Sequence, residues 1–126
     1  MNSSPAVTGS VRTWLRLEAL AILAAAVLLY ARGDHSWLLF AILLLAPDLS
    51  FIAYAAGPRI GAIVYNIAHS YAVPIIAAIM FLITGRSLAI PLIWIAHIGM
   101  DRAVGYGLKY PAAFSQTHLG VIGRQR

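Results

Sequence analysis

Three ionisable side chains lie close together near the end of an otherwise apolar stretch of this chain. His97 and Asp101 are four residues apart and Arg102 follows directly, within the run LAIPLIWIAHIGMDRAVGYGLKY. Residues four apart share one face of a helix. Ionisable groups inside a membrane are energetically costly unless they pair with another group or bind an ion. The spacing therefore predicts that His97 and Asp101 act together with groups on other helices.

Two further residues complete a set that could bind a metal. Asp48 and His69 lie in earlier apolar runs of the same chain. Neutral imidazole nitrogens and carboxylate oxygens are the ligands that zinc, manganese and iron accept in proteins. A bound metal lowers the pKa of a water molecule on it and polarises an ester or phosphoester, which favours hydrolysis. We therefore expect Asp48, His69, His97 and Asp101 to hold a divalent transition metal, with zinc as the first choice.

Four more residues receive catalytic roles in this scheme. Glu18, on the first apolar run, is expected to be a further ligand or the general base. Arg102 is expected to clamp an anionic group of the substrate, because its guanidinium is always charged. Tyr65 and Asn66 precede His69 by four and three residues, and are expected to orient that anionic group.

The composition is that of a membrane protein. Of the 126 residues, 61% are hydrophobic and 10% are charged, with a mean hydropathy of +0.83. Soluble domains carry about 25% charged residues. The chain has no cysteine, which excludes disulfides, thiolate nucleophiles and iron–sulfur sites. Its net charge of +5 is scattered among apolar runs, so it predicts orientation in a bilayer and no binding of nucleic acid.

Four apolar runs define the expected architecture, which is all-α. Each is near the roughly 20 residues needed to cross the hydrocarbon core, and short loops make neighbouring helices antiparallel. The prediction is a transmembrane bundle of four helices in up-down-up-down order within residues 12–110. Residues 1–11 are expected to be a disordered tail and residues 111–126 a cytoplasmic tail. The predicted spans are residues 14–31, 37–56, 60–84 and 88–108.

The basic residues predict the orientation of this bundle. With four spans, the termini and the middle loop share one side, which holds seven of the nine Lys and Arg residues. The positive-inside rule then places both termini in the cytoplasm. The seven residues are Arg12, Arg16, Arg59, Arg102, Lys109, Arg124 and Arg126.

The depths of the polar groups along the predicted spans converge. At about 1.5 Å per helical residue, Asp48 and His69 lie roughly 12 and 13 Å from the cytoplasmic ends of their spans, and His97 and Asp101 roughly 16 and 10 Å. We expect one polar layer in which the ligand atoms fall within about 5 Å of a common point. Pro47 and Pro74 interrupt their helices beside this layer, which predicts a small wet cavity open to the cytoplasm.

Three blocks of the chain carry a resemblance to a known family. RLEALA, LAPDLSFIAYAAGPRIGAIVYNIAHSY and WIAHIGMDRAVGYGLKYPAAFSQTHLG resemble the small bacterial membrane proteins grouped as domain of unknown function 4260. The resemblance implies four spans in a bacterial inner membrane, and it brings no established activity. Its pattern adds Tyr106, Lys109, Tyr110 and His118 to the candidate site residues.

A second similarity concerns the order of short motifs. PDLS, AHS and HIGMD follow one another as PD, HS and HxxxD do in inner-membrane metal-dependent hydrolases. The chain lacks the basic residue and the second histidine that accompany the HS element there. Similarity of this kind does not by itself carry function.

The sequence leaves three functions open. The first is a metal-dependent hydrolase that acts on a lipid or isoprenoid head group from the cytoplasmic side. The alternatives are a proton or metal carrier that works as a dimer, and a non-catalytic subunit of a membrane complex in which the polar layer locks the helices together. Membrane lipids are the expected partners. A monomer and a homodimer are both compatible with the small-residue faces, and the sequence identifies no protein partner.

Overall fold

The computed structural model describes residues 8–108 and the backbone of residues 116–117 and 120–121. The short strands β1 (Gln116–Thr117) and β2 (Gly120–Val121) pair antiparallel. All other regular structure in this part of the chain is helical: α1 (Gly9–Arg32), α2 (Trp37–Leu43), a 3-10 helix (Ala46–Ala56), α3 (Pro58–His69), α4 (Ala72–Ile83) and α5 (Ala89–Val104).

Two prolines set the breaks in the helices. Proline lacks an N–H and its ring clashes with the carbonyl four residues earlier. For Pro47 that residue is Leu43, where α2 ends, and the chain continues as the 3-10 helix. For Pro74 it is Ser70, which takes an extended conformation and separates α3 from α4. The predicted second and third spans are therefore both broken, the second beside Asp48 and the third beside His69.

Two helical segments are long and apolar enough to cross a membrane, Gly9–Arg32 and Trp37–Ala56. The pair Pro58–His69 and Ala72–Ile83 passes the same test together, with a bend of 43° between its halves, and counts as a third span if it crosses as one unit. The described part of the chain thus has two or three candidate spans, consistent with a membrane protein.

The ends of two predicted segments differ from expectation. Helix α5 has only 16 residues, because Gly105 adopts a left-handed backbone with φ of 107° and ends the helix before residue 108. Helix α1 begins at Gly9, so residues 9–11 of the predicted disordered tail are helical.

Helix α5 positions the other elements. Helix α1 packs along it, α2 and α4 also contact it, and α3 packs against the 3-10 helix. A Cβ atom on Gly99 would lie 3.0 Å from the carbonyl oxygen of Ala19 and 3.1 Å from the Cβ of Leu23, so α1 and α5 approach very closely there. Small residues permit such approach between membrane helices.

The remaining core lies near the loop between α1 and α2. Tyr30, Ala89, Leu92 and Ile93 form a buried apolar cluster, and the Tyr30 hydroxyl donates to the carbonyl of Ser36. Tyr30 is therefore a core residue. Many large apolar side chains face outward, as Leu38 does with 71% of its surface exposed. Such a surface suits lipid better than water.

Candidate metal centre

Three helices bring the four predicted ligand residues together. His69 is the last residue of α3, His97 and Asp101 lie one turn apart on α5, and Asp48 lies in the first turn of the 3-10 helix. One donor atom from each residue lies within 4.8 Å of the donor atoms of the other three. The group could hold a metal ion.

Five of the six distances between the donor atoms are close to those around a tetrahedral ion. The two Nε2 atoms of His69 and His97 are 3.1 Å apart. Asp48 Oδ1 lies 3.1 Å from each of them, and Asp101 Oδ2 lies 3.1 Å from His97 Nε2 and 3.5 Å from His69 Nε2. A tetrahedron with zinc–ligand bonds of about 2.0–2.1 Å has edges of about 3.3 Å. Five of the six separations are thus near those that zinc would impose, and the carboxylate oxygens of Asp48 and Asp101 lie within 4.8 Å of each other.

The four ligands differ in their access to the surroundings. The exposed fractions of the His69 and His97 side chains are 4% and 0%, and that of Asp101 is 13%. The side chain of Asp48 is 47% exposed. Three donors are thus held inside the protein, and Asp48 closes the group from its open side.

Hydrogen bonding prepares His69 to bind a cation. Its Nδ1 lies 2.9 Å from the carbonyl oxygen of Tyr65, to which it donates. In the neutral ring the proton is then on Nδ1, and the lone pair of Nε2 points at the other donors. The Tyr65 ring stacks on the imidazole with 3.7 Å between centroids and 8° between planes. The orientation of His69 is therefore fixed by both a hydrogen bond and a ring contact.

The second histidine is less completely held. Nδ1 of His97 is fully buried and makes no well-formed hydrogen bond to any described residue, although it faces the backbone of Leu44. If both neutral rings carried their protons on Nδ1, the lone pairs of the Nε2 atoms, which are 3.1 Å apart, would repel each other. A cation or a shared proton between the Nε2 atoms removes that repulsion, and the adjacent carboxylates favour either.

Two side chains of α5 hold the broken end of α3. The indole N–H of Trp94 donates to the carbonyl of Ala68 at 2.5 Å, and Arg102 donates to the carbonyl of His69 at 3.3 Å. The Arg102 guanidinium also lies over the ring of Tyr71, 4.5 Å from its centroid. A helix end has carbonyls without partners inside the helix, and these contacts satisfy two of them beside the site.

Sequence reasoning had not identified Trp94 or Tyr71 as parts of the site. A signal for Trp94 was present, because a tryptophan near the middle of a span needs a partner for its N–H. Tyr71 carried no comparable signal, since its role depends on the bend between α3 and α4.

A narrow cleft without room for a water molecule lies beside the group on the side of Arg102, where a wet cavity was predicted. It is lined by Tyr65, His69, Asp101, Arg102 and Tyr106, together with Ile98 and Gly107. Within residues 8–108, Arg102 makes no ion pair with either acid of the group, since the ion pairs of Asp48 and Asp101 are with the histidines. Arg102 therefore does not lock the bundle through an ion pair with Asp48 or Asp101.

Glu18 does not join the group. Its side chain is exposed, and it is not part of the cluster of donors found among the described residues. Its neighbour Ala19 is buried against α5, whereas Glu18 is exposed, and the role of Glu18 as a ligand or general base stays a prediction. Asn66 is half-buried on α3, and Tyr106 is 46% exposed at the cleft. Lys109, Tyr110 and His118 lie outside the described residues.

The fold and the group of donors define a helical, membrane-type protein with a candidate metal centre. Residues 12–122 match the family model described as Domain of unknown function (DUF4260), and the chain belongs to that family. Neither the comparison with curated proteins nor the comparison with solved structures returned a match.

Proposed function

We propose that the protein binds one divalent transition-metal ion, preferably zinc, and uses it to hydrolyse an ester or phosphoester of a membrane lipid or isoprenoid. The observation that carries the proposal is the set of five separations of 3.1–3.5 Å that link the four donor atoms on three helices. Two imidazoles and two carboxylates are also a donor set that zinc accepts.

The exposure of Asp48 favours a catalytic site over a closed one. Catalytic zinc is held by three protein ligands and keeps one position for water or substrate, whereas four protein ligands are typical of structural zinc. His69, His97 and Asp101 are the buried three. Asp48 is nearly half exposed and follows a proline at a helix break, so it can leave the ion when substrate binds. With Glu18 pointing elsewhere, Asp48 is also the carboxylate placed to accept a proton.

The reaction follows from these placements. The metal supplies Lewis acidity when bound. Asp48 takes a proton from a water molecule as the water oxygen bonds to the carbonyl carbon or the phosphorus atom. The bond from that atom to the leaving alcohol oxygen breaks, and the proton passes from Asp48 to this oxygen. Arg102 faces the anionic part of the substrate at the cleft, and its contact with Tyr71 keeps it there.

A structural metal site in a non-catalytic subunit is the second candidate. The observation that favours it is the count of donors, because four protein donors can close a tetrahedron without water. The carrier is less favoured, because the outer halves of the apolar runs contain almost no polar residues to continue a pathway.

We also propose four spans with both termini in the cytoplasm of a bacterial inner membrane. The distribution of basic residues supports this orientation, and the cytoplasmic half of the bundle would then hold the centre. Membrane lipids would supply the substrate.

Metal analysis of the protein purified in detergent without chelator tests the proposal. We expect about one equivalent of zinc in the wild type, and a large loss in His97→Gln, because removal of a buried ligand opens the site. His35→Gln is the matched control, since His35 lies in the loop before α2 and contacts Ser87. Less than a tenth of an equivalent of any transition metal in the wild type would contradict the proposal.

Lipid turnover by the wild type and by Asp48→Asn separates the hydrolase from the structural metal site. For the hydrolase we expect most of the metal to stay and the turnover of a bacterial polar lipid extract, followed by mass spectrometry, to fall by about 100-fold or more. A wild-type protein that carries zinc but changes no lipid in the extract would favour the structural site.

A further inference from the structure

An apolar groove lies next to the candidate metal centre, on α5 and the junction of α2 with the 3-10 helix. Its volume is about 350 Å³, and it is lined by Leu43, Ala46, Pro47, Ile90, Ile93 and Trp94. This volume lies at the lower end of the range of about 300–1,000 Å³ that small-molecule sites occupy. No side chain in the lining is charged, so the groove suits a hydrocarbon group.

Residues of the groove adjoin residues of the metal centre. Pro47, in the groove, directly precedes Asp48 in the chain. Ile93, also in the groove, lies one helical turn before His97 on α5. Trp94 connects the two regions, because its indole N–H bonds to the carbonyl of Ala68, the residue before His69. A chain lying in the groove is therefore close to the donor group.

The order of features along α5 matches the order of groups in a lipid. The axial rise is about 6 Å from Ile93 to His97 and about 7.5 Å from His97 to Arg102. The helix thus presents an apolar surface, then metal ligands, then a cation. An amphiphile with an anionic head presents a hydrocarbon tail, then an ester or phosphoester link, then negative charge, over a comparable distance.

We propose that this groove binds one hydrocarbon chain of the substrate lipid, acyl or isoprenyl, and so places the link to be cleaved at the metal centre. This inference rests on the proposed function and names the part of the substrate that the protein recognises. Trp94 is a positioning residue in this account, since it contacts the chain and joins the groove to the end of α3.

Tryptophan fluorescence tests chain binding without any need for catalysis. The chain has three tryptophans, and Trp14→Phe with Trp37→Phe leaves Trp94 as the only one. This variant, delipidated in detergent, is titrated with a phospholipid brominated on one acyl chain, which quenches nearby indole. We expect saturable quenching. Unlabelled phospholipid and unlabelled polyprenyl phosphate are compared as competitors, and the stronger one identifies the class of chain.

Groove variants and a matched control make the test specific. Ala46→Phe and Ile90→Phe, each added to the single-tryptophan protein, fill the groove from its open side. We expect each to raise the half-saturating lipid concentration about tenfold, equal to about 1.4 kcal/mol. Ala55→Phe is the same size change at an exposed position of the 3-10 helix outside the groove lining, and should leave the titration unchanged.

The zinc content of every variant is measured in parallel. Quenching that does not saturate, quenching that neither competitor displaces, or saturation that both groove variants leave unchanged at normal zinc content would overturn the inference. Saturable, groove-dependent quenching in a protein without zinc would instead overturn the proposed function and leave lipid binding standing.

Discussion

His69 is held by more contacts than any other ligand of the candidate centre. The Tyr65 carbonyl accepts a hydrogen bond from Nδ1, and the Tyr65 ring covers one face of the imidazole. Arg102 donates a hydrogen bond to the backbone carbonyl of His69. Contacts that orient a ligand are often worth 10–100-fold in metal affinity. His97 depends more on the ion itself, because its Nδ1 lacks a well-formed bond to any residue in the described part of the chain.

Substitutions of Tyr65 test how much its ring contributes to holding His69, apart from its backbone carbonyl. Because the backbone carbonyl remains in any variant, the side chain contributes only stacking and its hydroxyl. In Tyr65→Leu the stacked ring is lost, and we expect zinc affinity to fall by about 10–100-fold. Tyr65→Phe keeps the ring and should stay within about threefold of the wild type. Competition with a zinc chelator measures both constants, and equal losses in the two variants would show that the hydroxyl matters more than the ring.

The prolines show what could be predicted at the level of helices. Pro47 and Pro74 stand in the sequence beside Asp48 and His69, and sterics alone place the breaks at Leu43 and Ser70. The expectation of interruptions beside the polar layer followed from these two residues, and both interruptions are present. Helical spacing likewise put His97 and Asp101 on one face.

The orientation of α1 and the end of α5 could not be predicted from the pattern of residues along a single helix. The face that α1 turns toward α5 is set by the fit of Ala19 and Leu23 against Gly99, and in lipid an apolar face can point either way. The side of α1 on which Glu18 lies could therefore not be derived from its polarity. The early end of α5 depends on the left-handed conformation of Gly105, one of several glycines near that end.

Two leucine substitutions on α1 test the close packing between α1 and α5. Ala19 is 2% exposed at the contact with α5, whereas Ala21 is exposed. Ala19→Leu must force the helices apart, and we expect a loss of about 1–3 kcal/mol in the free energy of unfolding. Ala21→Leu should change it by less than about 0.5 kcal/mol. Denaturation in detergent followed by circular dichroism measures both, and equal stability of the two variants would refute this packing.

Across the whole molecule, polarity is divided along the expected membrane normal. Arg16 and Arg102 both reach backbone carbonyls on the side of the candidate centre, those of Ala103 and His69. The opposite end holds Arg32 and the loop in which His35 meets Ser87. With the proposed four spans and cytoplasmic termini, the metal ligands would lie nearer to the more basic face, where anionic head groups are attracted.

The number of spans decides whether the termini lie on one side or on opposite sides. Because the chain has no cysteine, single cysteines report accessibility without background. With four spans and a cytoplasmic N-terminus, Ser87→Cys should react with a membrane-impermeant maleimide in intact cells. Arg59→Cys and Gln125→Cys should react only after the membrane is opened. The physical reason is the excess of Lys and Arg that this topology keeps inside.

The cysteine at position 125 is the most informative of the three, because the 16 residues of α5 are short for a span. If α5 does not cross, residue 125 lies on the same side as residue 87 and both label in intact cells. The candidate centre would then sit at the surface of the membrane, since α5 supplies His97 and Asp101. Labelling of residue 125 only in opened cells requires α5 to cross. The metal ligands then lie inside the bilayer, where exclusion of water strengthens their hold on an ion.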